Sequence, residues 1–138
     1  MLTSTSKFQV LGDLIEVLTS GEETGGRLCA LRQTCRPGSG PPPHWHENED
    51  ELFMVEEGRF ELFDGTTWTE LPKGQTAFAL RGQVHTFRNC GDAEGTIIVV
   101  ATPGKFDEYL RAISGIQMPQ DAGRLIEISV AYGIHFVQ

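Results

Sequence analysis

Short apolar segments separated by glycine- and proline-rich turns run along most of this chain. Segments such as DLIEVLTS, RLCALRQTC, ELFMVEE and TIIVVAT end at GEETGG, RPGSGPPP, Gly58 and Pro103-Gly104. Strands that recur at intervals of about 8–12 residues are typical of antiparallel sandwiches and barrels. Asp64-Gly65, between two alternating segments, predicts a tight hairpin. The pattern therefore predicts an all-β fold.

The C-terminal segment departs from this pattern. KFDEYLRAIS carries apolar residues at helical spacing, and Gly115 follows it as a stop signal. A second helix is predicted from about 121 to 132, with a short strand after it. Since no repeat or linker interrupts the chain, we expect one domain over residues 1–138. Its barrel would span about 8–102 and its helical tail about 105–138.

The net charge and the apolar pattern disfavour several classes of partner, and the cysteines indicate the redox environment. The 138 residues carry a formal charge of −8, which disfavours nucleic acids and anionic membranes. We find neither a signal-peptide pattern nor an apolar run of the ~18 residues that a membrane span requires. Cys29, Cys35 and Cys90 are odd in number and form no CxxC pair. These features predict reduced thiols in a cytoplasmic protein.

Two of the four histidines stand together in the segment HWHENEDE. His44 and His46 would share one face of a strand, with Trp45 on the other. Glu51 can join them only if the acidic residues between form a turn. We therefore expect a hairpin in which Glu51 opens the second strand and faces back. With His85 from downstream, the donors are three imidazoles and one carboxylate, a set that suits Fe, Mn, Ni, Cu or Zn.

The spacing of these residues resembles a known family. Residues 38–58 read G-x5-H-x-H-x4-E-x6-G, and residues 74–89 read G-x5-L-x-G-x2-H-x3-N. Both are similar to the two motifs of the cupin superfamily, with Leu80 in place of a customary proline. The resemblance implies a double-stranded β-helix, or jelly-roll barrel. It also implies one divalent transition metal ion per chain, held by His44, His46, Glu51 and His85. The segment RLIEISVAYGIHFV is similar to the tail of small bacterial single-domain cupins of the quercetin-dioxygenase type.

The remaining polar residues of the region receive plainer interpretations. Glu49 is an alternative carboxylate ligand, but it fits the motif spacing less well than Glu51. With Glu47 and Asp50 it is expected to form a solvated turn, so that Glu49→Gln would have little effect. His135 is expected to be a packing or surface residue of the last strand. The alternative to the whole assignment is a cupin barrel whose site stays empty or binds a sugar-like ligand without metal.

Apolar residues beside the ligands have two possible roles. Phe53 and Val55 share the face of Glu51, and Phe87 shares that of His85; each would line a substrate pocket or fill the core. Leu52 and Met54 point outward although they are apolar, so either the tail helices or a partner must cover them. We expect a homodimer through this face.

The family resemblance suggests a reaction type. It implies a metal-dependent dioxygenase, an oxidoreductase that acts on a small, phenolic or enolic compound. The metal would act as a Lewis acid, and Glu51 would serve first as ligand and then as proton acceptor. Two alternatives stay open: a non-catalytic module that binds or senses metal and ligand, and an isomerase or lyase that uses no dioxygen.

Overall fold

The protein forms a mostly β structure with two short helices near its C-terminus. The structure is a computed structural model and describes residues 1–137. The strands are β1 Ser6–Val10, β2 Asp13–Thr19, β3 Cys29–Cys35, β4 His44–His46, β5 Asp50–Glu57, β6 Phe60–Phe63, β7 Trp68–Leu71, β8 Thr76–Ala79, β9 Thr86–Asn89, β10 Gly95–Thr102 and β11 Ile134–Phe136. The helices are α1 Phe106–Ala112 and α2 Ala122–Ala131.

The strands build two layers of antiparallel sheet. One layer has six strands in the order β1-β2-β3-β10-β5-β8. The other contains the three-stranded sheet β7-β6-β9 and the pair β11-β4. His44 and His85 exchange two backbone hydrogen bonds, of 3.1 and 2.9 Å, which join β4 to the start of β9. This is the arrangement of a double-stranded β-helix, as the sequence predicts.

Alternating burial along the strands creates the core between the layers. On β5, Phe53 and Val55 are buried while Leu52 and Met54 are half-buried on the outer face. Residues 97 and 99 of β10 are buried in the same way. Burying large apolar side chains contributes about 1.5–3 kcal/mol each, so this inner face dominates the stability of the barrel.

The predicted turns and helices occur where expected. The Asp64 carboxylate accepts hydrogen bonds from the backbone N–H groups of Thr66 and Thr67, which closes the β6–β7 hairpin. Helix α1 lies against β1 and β3, and α2 precedes and contacts β11. A 2.7 Å hydrogen bond between Tyr109 and Ser129 joins the two helices. Within residues 1–137, neither helix has the length and apolarity to cross a bilayer.

The motif glycines serve backbone geometry. Gly38, Gly58, Gly74 and Gly82 all have φ between 79° and 83°, a region that side chains other than glycine's rarely adopt. At Gly58 a Cβ would also lie 2.9 Å from the Gly95 Cα, so this turn packs directly on the start of β10. These glycines fix the turns that set the register of the neighbouring strands.

Candidate metal centre

Three histidines and one glutamate meet in the space between the two layers. His44 and His46 come from β4, His85 precedes β9, and Glu51 comes from β5 in the opposite layer. One ligand atom from each residue lies within 4.8 Å of all the others. All four residues are buried, and His46 is completely so. The four residues of the predicted ligand set are therefore brought together.

The connection between β4 and β5 differs from the prediction. We expected a hairpin, but β4 pairs with β11 while β5 pairs with β10 and β8. The turn at 47–49 carries the chain from one layer to the other. Glu51 therefore reaches the histidines across the interior of the barrel. The hairpin prediction was wrong because the local pattern does not reveal that β4 has a partner near the end of the chain.

Each histidine is oriented by a hydrogen bond from its Nδ1 atom. The Nδ1 of His44 lies 2.8 Å from the Pro42 carbonyl oxygen, and that of His85 lies 2.9 Å from the Gln83 carbonyl oxygen. Carbonyl oxygens only accept, so these Nδ1 atoms carry the proton and donate it. The Nε2 lone pair is then left for the centre of the cluster, as in metal-bound histidines whose other ring nitrogen donates to a neighbouring oxygen.

Glu49 orients the third histidine, and this corrects an expectation. Its Oε1 lies 2.9 Å from His46 Nδ1, and the residue is only 5% exposed. It does not belong to a solvated turn. The neighbouring acids do lie at the surface, where Glu47 contacts His135 at 2.8 Å and Asp50 pairs with Arg81 at 3.1 Å. The i,i+3 separation of His46 and Glu49 across a tight turn was the available signal for this contact.

The environment shifts the ionisation of the cluster. Burial, together with the nearby His85, lowers the pKa of His44 to about 4, so this imidazole is neutral at pH 7. For His46, burial acts to lower the pKa. Attraction to Glu51 and the hydrogen bond to Glu49 outweigh this effect, so the pKa of His46 is raised overall. For Glu51, burial acts to raise the pKa. The positive charge of His46 more than offsets this effect, so the pKa of Glu51 lies well below its usual range.

The donor set fits a transition metal ion. His46 Nε2 lies 2.8 Å from Glu51 Oε1, yet it has no hydrogen-bond partner of acceptable geometry within residues 1–137. A buried ring nitrogen without a partner is costly unless another group satisfies it. A mixed nitrogen and oxygen set of this kind suits Fe, Mn, Ni, Cu or Zn. The residues present could therefore hold a metal ion.

A cavity of about 90 Å³ adjoins the cluster. Cavities that take drug-sized ligands measure roughly 300–1,000 Å³, so this one is narrow. His44, Glu51 and His85 form part of its wall. Most of the rest is apolar, and among residues 1–137 no lysine or arginine contributes to the lining. The space suits a slender, largely apolar molecule.

Comparison with known proteins identifies the family. The Cupin domain profile matches residues 31–101, just over half of the chain. The chain belongs to the cupin family. No functionally curated protein matches the sequence.

Solved structures resemble this cupin at modest sequence identity. An RmlC-like cupin from Shewanella frigidimarina is 18% identical, with a TM-score of 0.63 over 76% of this chain and 89% of its own. A sugar phosphate isomerase of the cupin superfamily from Silicibacter pomeroyi is 29% identical, with a TM-score of 0.55 over 64% and 59%. An oxalate oxidase is 25% identical, with a TM-score of 0.56 over 68% and 54%.

The cavity of this cupin includes residues that the sequence did not single out. Phe53 and Phe87 line it, whereas Val55 is buried in the core and is absent from the lining. Much of the remaining wall comes from the helical tail, namely Phe106, Tyr109, Leu110, Ile113, Leu125, Ile134 and Phe136. Their helical apolar spacing was visible in the sequence, but it did not show which space they would enclose.

Other predicted residues lie outside the cluster. His135 stacks on Trp45 with ring centroids 4.3 Å apart, as a surface residue of the last strand. Asn89 donates to the carbonyl oxygens of Cys35 and Ala93 and so holds a turn of the cupin barrel. All three cysteines are free thiols, and burial raises the pKa of Cys29 to about 12.

Proposed function

We propose that this cupin is a metal-dependent oxidoreductase of the dioxygenase type, acting on a small phenolic or enolic compound. The observation that carries the proposal is the convergence of three imidazoles and the Glu51 carboxylate on one wall of a narrow, apolar cavity. A six-coordinate ion held by these four residues would have two further positions, which would suit a substrate oxygen and dioxygen.

The chain's own residues have distinct roles in this proposal. His44, His46 and His85 would hold one transition metal ion per chain, with Glu51 as the fourth ligand. The bound metal would supply Lewis acidity toward a substrate oxygen. Glu51 lies 2.9 Å from His85 Nε2 and lines the cavity, so its carboxylate is placed to accept a proton from a substrate hydroxyl.

The cavity lining favours an uncharged substrate. Oxalate and sugar phosphates, the ligands named for two structural neighbours, are anions. Here two carboxylates, Asp13 and Glu51, face the cavity, and among residues 1–137 no lysine or arginine lines it. At the end of the cavity away from the metal, an anion would be repelled by Asp13. The aromatic wall of Phe53, Phe87 and Phe106 instead suits a ring or chain with a hydroxyl group.

The tail supports the narrower likeness to quercetin-dioxygenase-type single-domain cupins. Helix α2 and strand β11 occur where the segment RLIEISVAYGIHFV predicts them. Phe136 lies 6.3 Å from His44 between ring centroids, so the last strand closes the cavity beside a ligand. A cover of this kind would keep water from a reactive intermediate.

Oxygen consumption tests the proposal. Metal-loaded protein mixed with a panel of phenols and enols should consume dioxygen in step with loss of one of these compounds, and Glu51→Gln should abolish this. An oxygen electrode and chromatography measure the two quantities. Turnover that persists without dioxygen would instead show an isomerase or lyase. Binding of a compound with no turnover in either atmosphere would show a non-catalytic binding module.

We also propose that the chain forms a homodimer through the outer face of the six-stranded sheet. Leu52 lies opposite Phe78 of β8, which is 56% exposed, and Met54 lies on the same face. The helices lie against β1, β3 and β11 instead. Exposing large apolar side chains costs roughly 1.5–3 kcal/mol each, and twofold pairing is the commonest way to cover such a face.

Light scattering tests the dimer. The wild type should have twice the 15.2 kDa chain mass, and Leu52→Glu with Met54→Glu should be monomeric. Thr69→Glu, on an exposed position of β7, serves as the control and should stay dimeric. A monomeric wild type would refute the proposal, and a dimeric double variant would exclude this face.

A further inference from the structure

The cavity has two polar ends, one at the metal cluster and a second one away from it. The lining runs diagonally over the inner face of the six-stranded sheet, from Glu51 and Phe53 on β5 to Asp13 on β2. Strands β3 and β10 lie between β2 and β5, so β2 and β5 are about 14 Å apart at ordinary strand spacing. Asp13, Gln33 and Ser39 form this far end, which we call the Asp13 end.

Asp13 is a buried carboxylate in which one oxygen accepts hydrogen bonds. Its Oδ2 accepts a 2.6 Å hydrogen bond from the Ser39 hydroxyl and a 3.3 Å hydrogen bond from Gln33 Nε2. Its Oδ1 is shielded from solvent, and none of residues 1–137 gives it a hydrogen bond of acceptable geometry. The nearest cation is Arg36, whose Nε is 3.8 Å from Oδ1, too far for a hydrogen bond. The Arg36 side chain is 62% exposed and takes no part in the cavity wall.

An unpaired carboxylate oxygen in an apolar cavity requires a donor. Burying such an oxygen without a partner costs free energy that the Ser39 and Gln33 contacts do not recover, because both reach the other oxygen. The surrounding lining residues Val10, Ile15 and Phe87 offer no side-chain donor, and the buried Cys35 thiol beside Asp13 is only a weak donor. A ligand with an O–H or N–H group at this end would satisfy Oδ1, and a carboxylate or phosphate would be repelled.

We infer that Asp13 is a specificity-determining residue that accepts a hydrogen bond from a hydroxyl or ammonium group at the end of the ligand remote from the metal. The ligand class is then an elongated, mostly apolar molecule with a metal-binding oxygen at one end and a hydrogen-bond donor at the other. This rests on the proposed function in taking the cavity beside the metal cluster as the substrate site.

Four one-ring probes test the Asp13 end directly: benzylamine, benzyl alcohol, toluene and benzoate. Their affinities are measured by ligand-observed NMR and calorimetry on the full chain, as purified and again after chelation. Benzylamine and benzyl alcohol should bind about tenfold or more tightly than toluene, because each can donate a hydrogen bond to a charged acceptor and toluene cannot. Benzoate should bind most weakly. Asp13→Asn should remove the advantage of benzylamine, whereas Asp92→Asn, at an exposed turn, should retain it.

The outcomes separate this inference from the proposed function. Equal binding of benzylamine and toluene, no binding of any probe, or an unchanged preference in Asp13→Asn would each overturn the role of Asp13. If Asp13→Asn does not fold, the ranking of the four probes on the wild type decides. None of these readouts needs metal or dioxygen, so a failure of oxygen uptake leaves them unaffected.

Discussion

Replacing His44 or His46 by alanine is expected to remove nearly all of the bound transition metal. Each change deletes an inner nitrogen donor from a buried cluster whose ligand atoms lie within 4.8 Å of one another. Removing a residue that only hydrogen-bonds to a ligand lowers metal affinity by about 10–100-fold, so removing a ligand itself should lower the affinity by more than about 100-fold. Metal analysis of untagged protein should give close to one ion per wild-type chain and only traces in either variant.

His135→Ala is the matched control for these variants. His135 is also an imidazole in the same two-stranded sheet, but it contacts Trp45 and Glu47 at the surface. Its removal should leave the metal content unchanged. Circular dichroism establishes that each variant is folded before its metal is counted. Full occupancy in the His44→Ala, His46→Ala double variant would disprove the metal assignment.

Glu49→Ala is expected to weaken metal binding by about 10–100-fold without removing any ligand. The change leaves the Nδ1 of His46 buried with no acceptor, so the ring loses both its orientation and the support of a negative charge. Glu49→Gln keeps an acceptor oxygen at the same place and should therefore recover part of the affinity. A competition titration with a chromophoric chelator measures both variants.

Glu47→Ala provides the comparison for Glu49. It also removes a carboxylate that contacts a histidine, but that pair is exposed and lies outside the cluster. If Glu49→Ala and Glu47→Ala bind metal equally well, the buried hydrogen bond has no role in orienting His46. If Glu49→Gln is as weak as Glu49→Ala, the charge of Glu49 matters more than its hydrogen bond.

Sequence patterns predicted the parts of the structure that depend on local chemistry. Alternating apolar residues and turn signals located β5, the β6–β7 hairpin and both helices, because each of these is specified within about ten residues. His44, His46 and Glu51 also lie within one short segment, whereas His85, 34 residues beyond Glu51, was added through the resemblance to the second cupin motif. Glu49 was misassigned because its acidic neighbours suggested a solvated turn, although its partner His46 is only three residues away. Asp13 was not identified because its partner Ser39 lies 26 residues away.

The pairing of β4 with β11 joins a strand that carries part of the first cupin motif to a C-terminal tail that lies outside the family match. The family match ends at residue 101, yet the strand that carries His44 and His46 is hydrogen-bonded to residues 134–136, and the tail encloses one side of the cavity. Substitutions in the tail can therefore reshape the space for a ligand while every motif residue is retained. Under the proposed function, the specificity of this cupin would therefore depend on residues that lie outside both motifs.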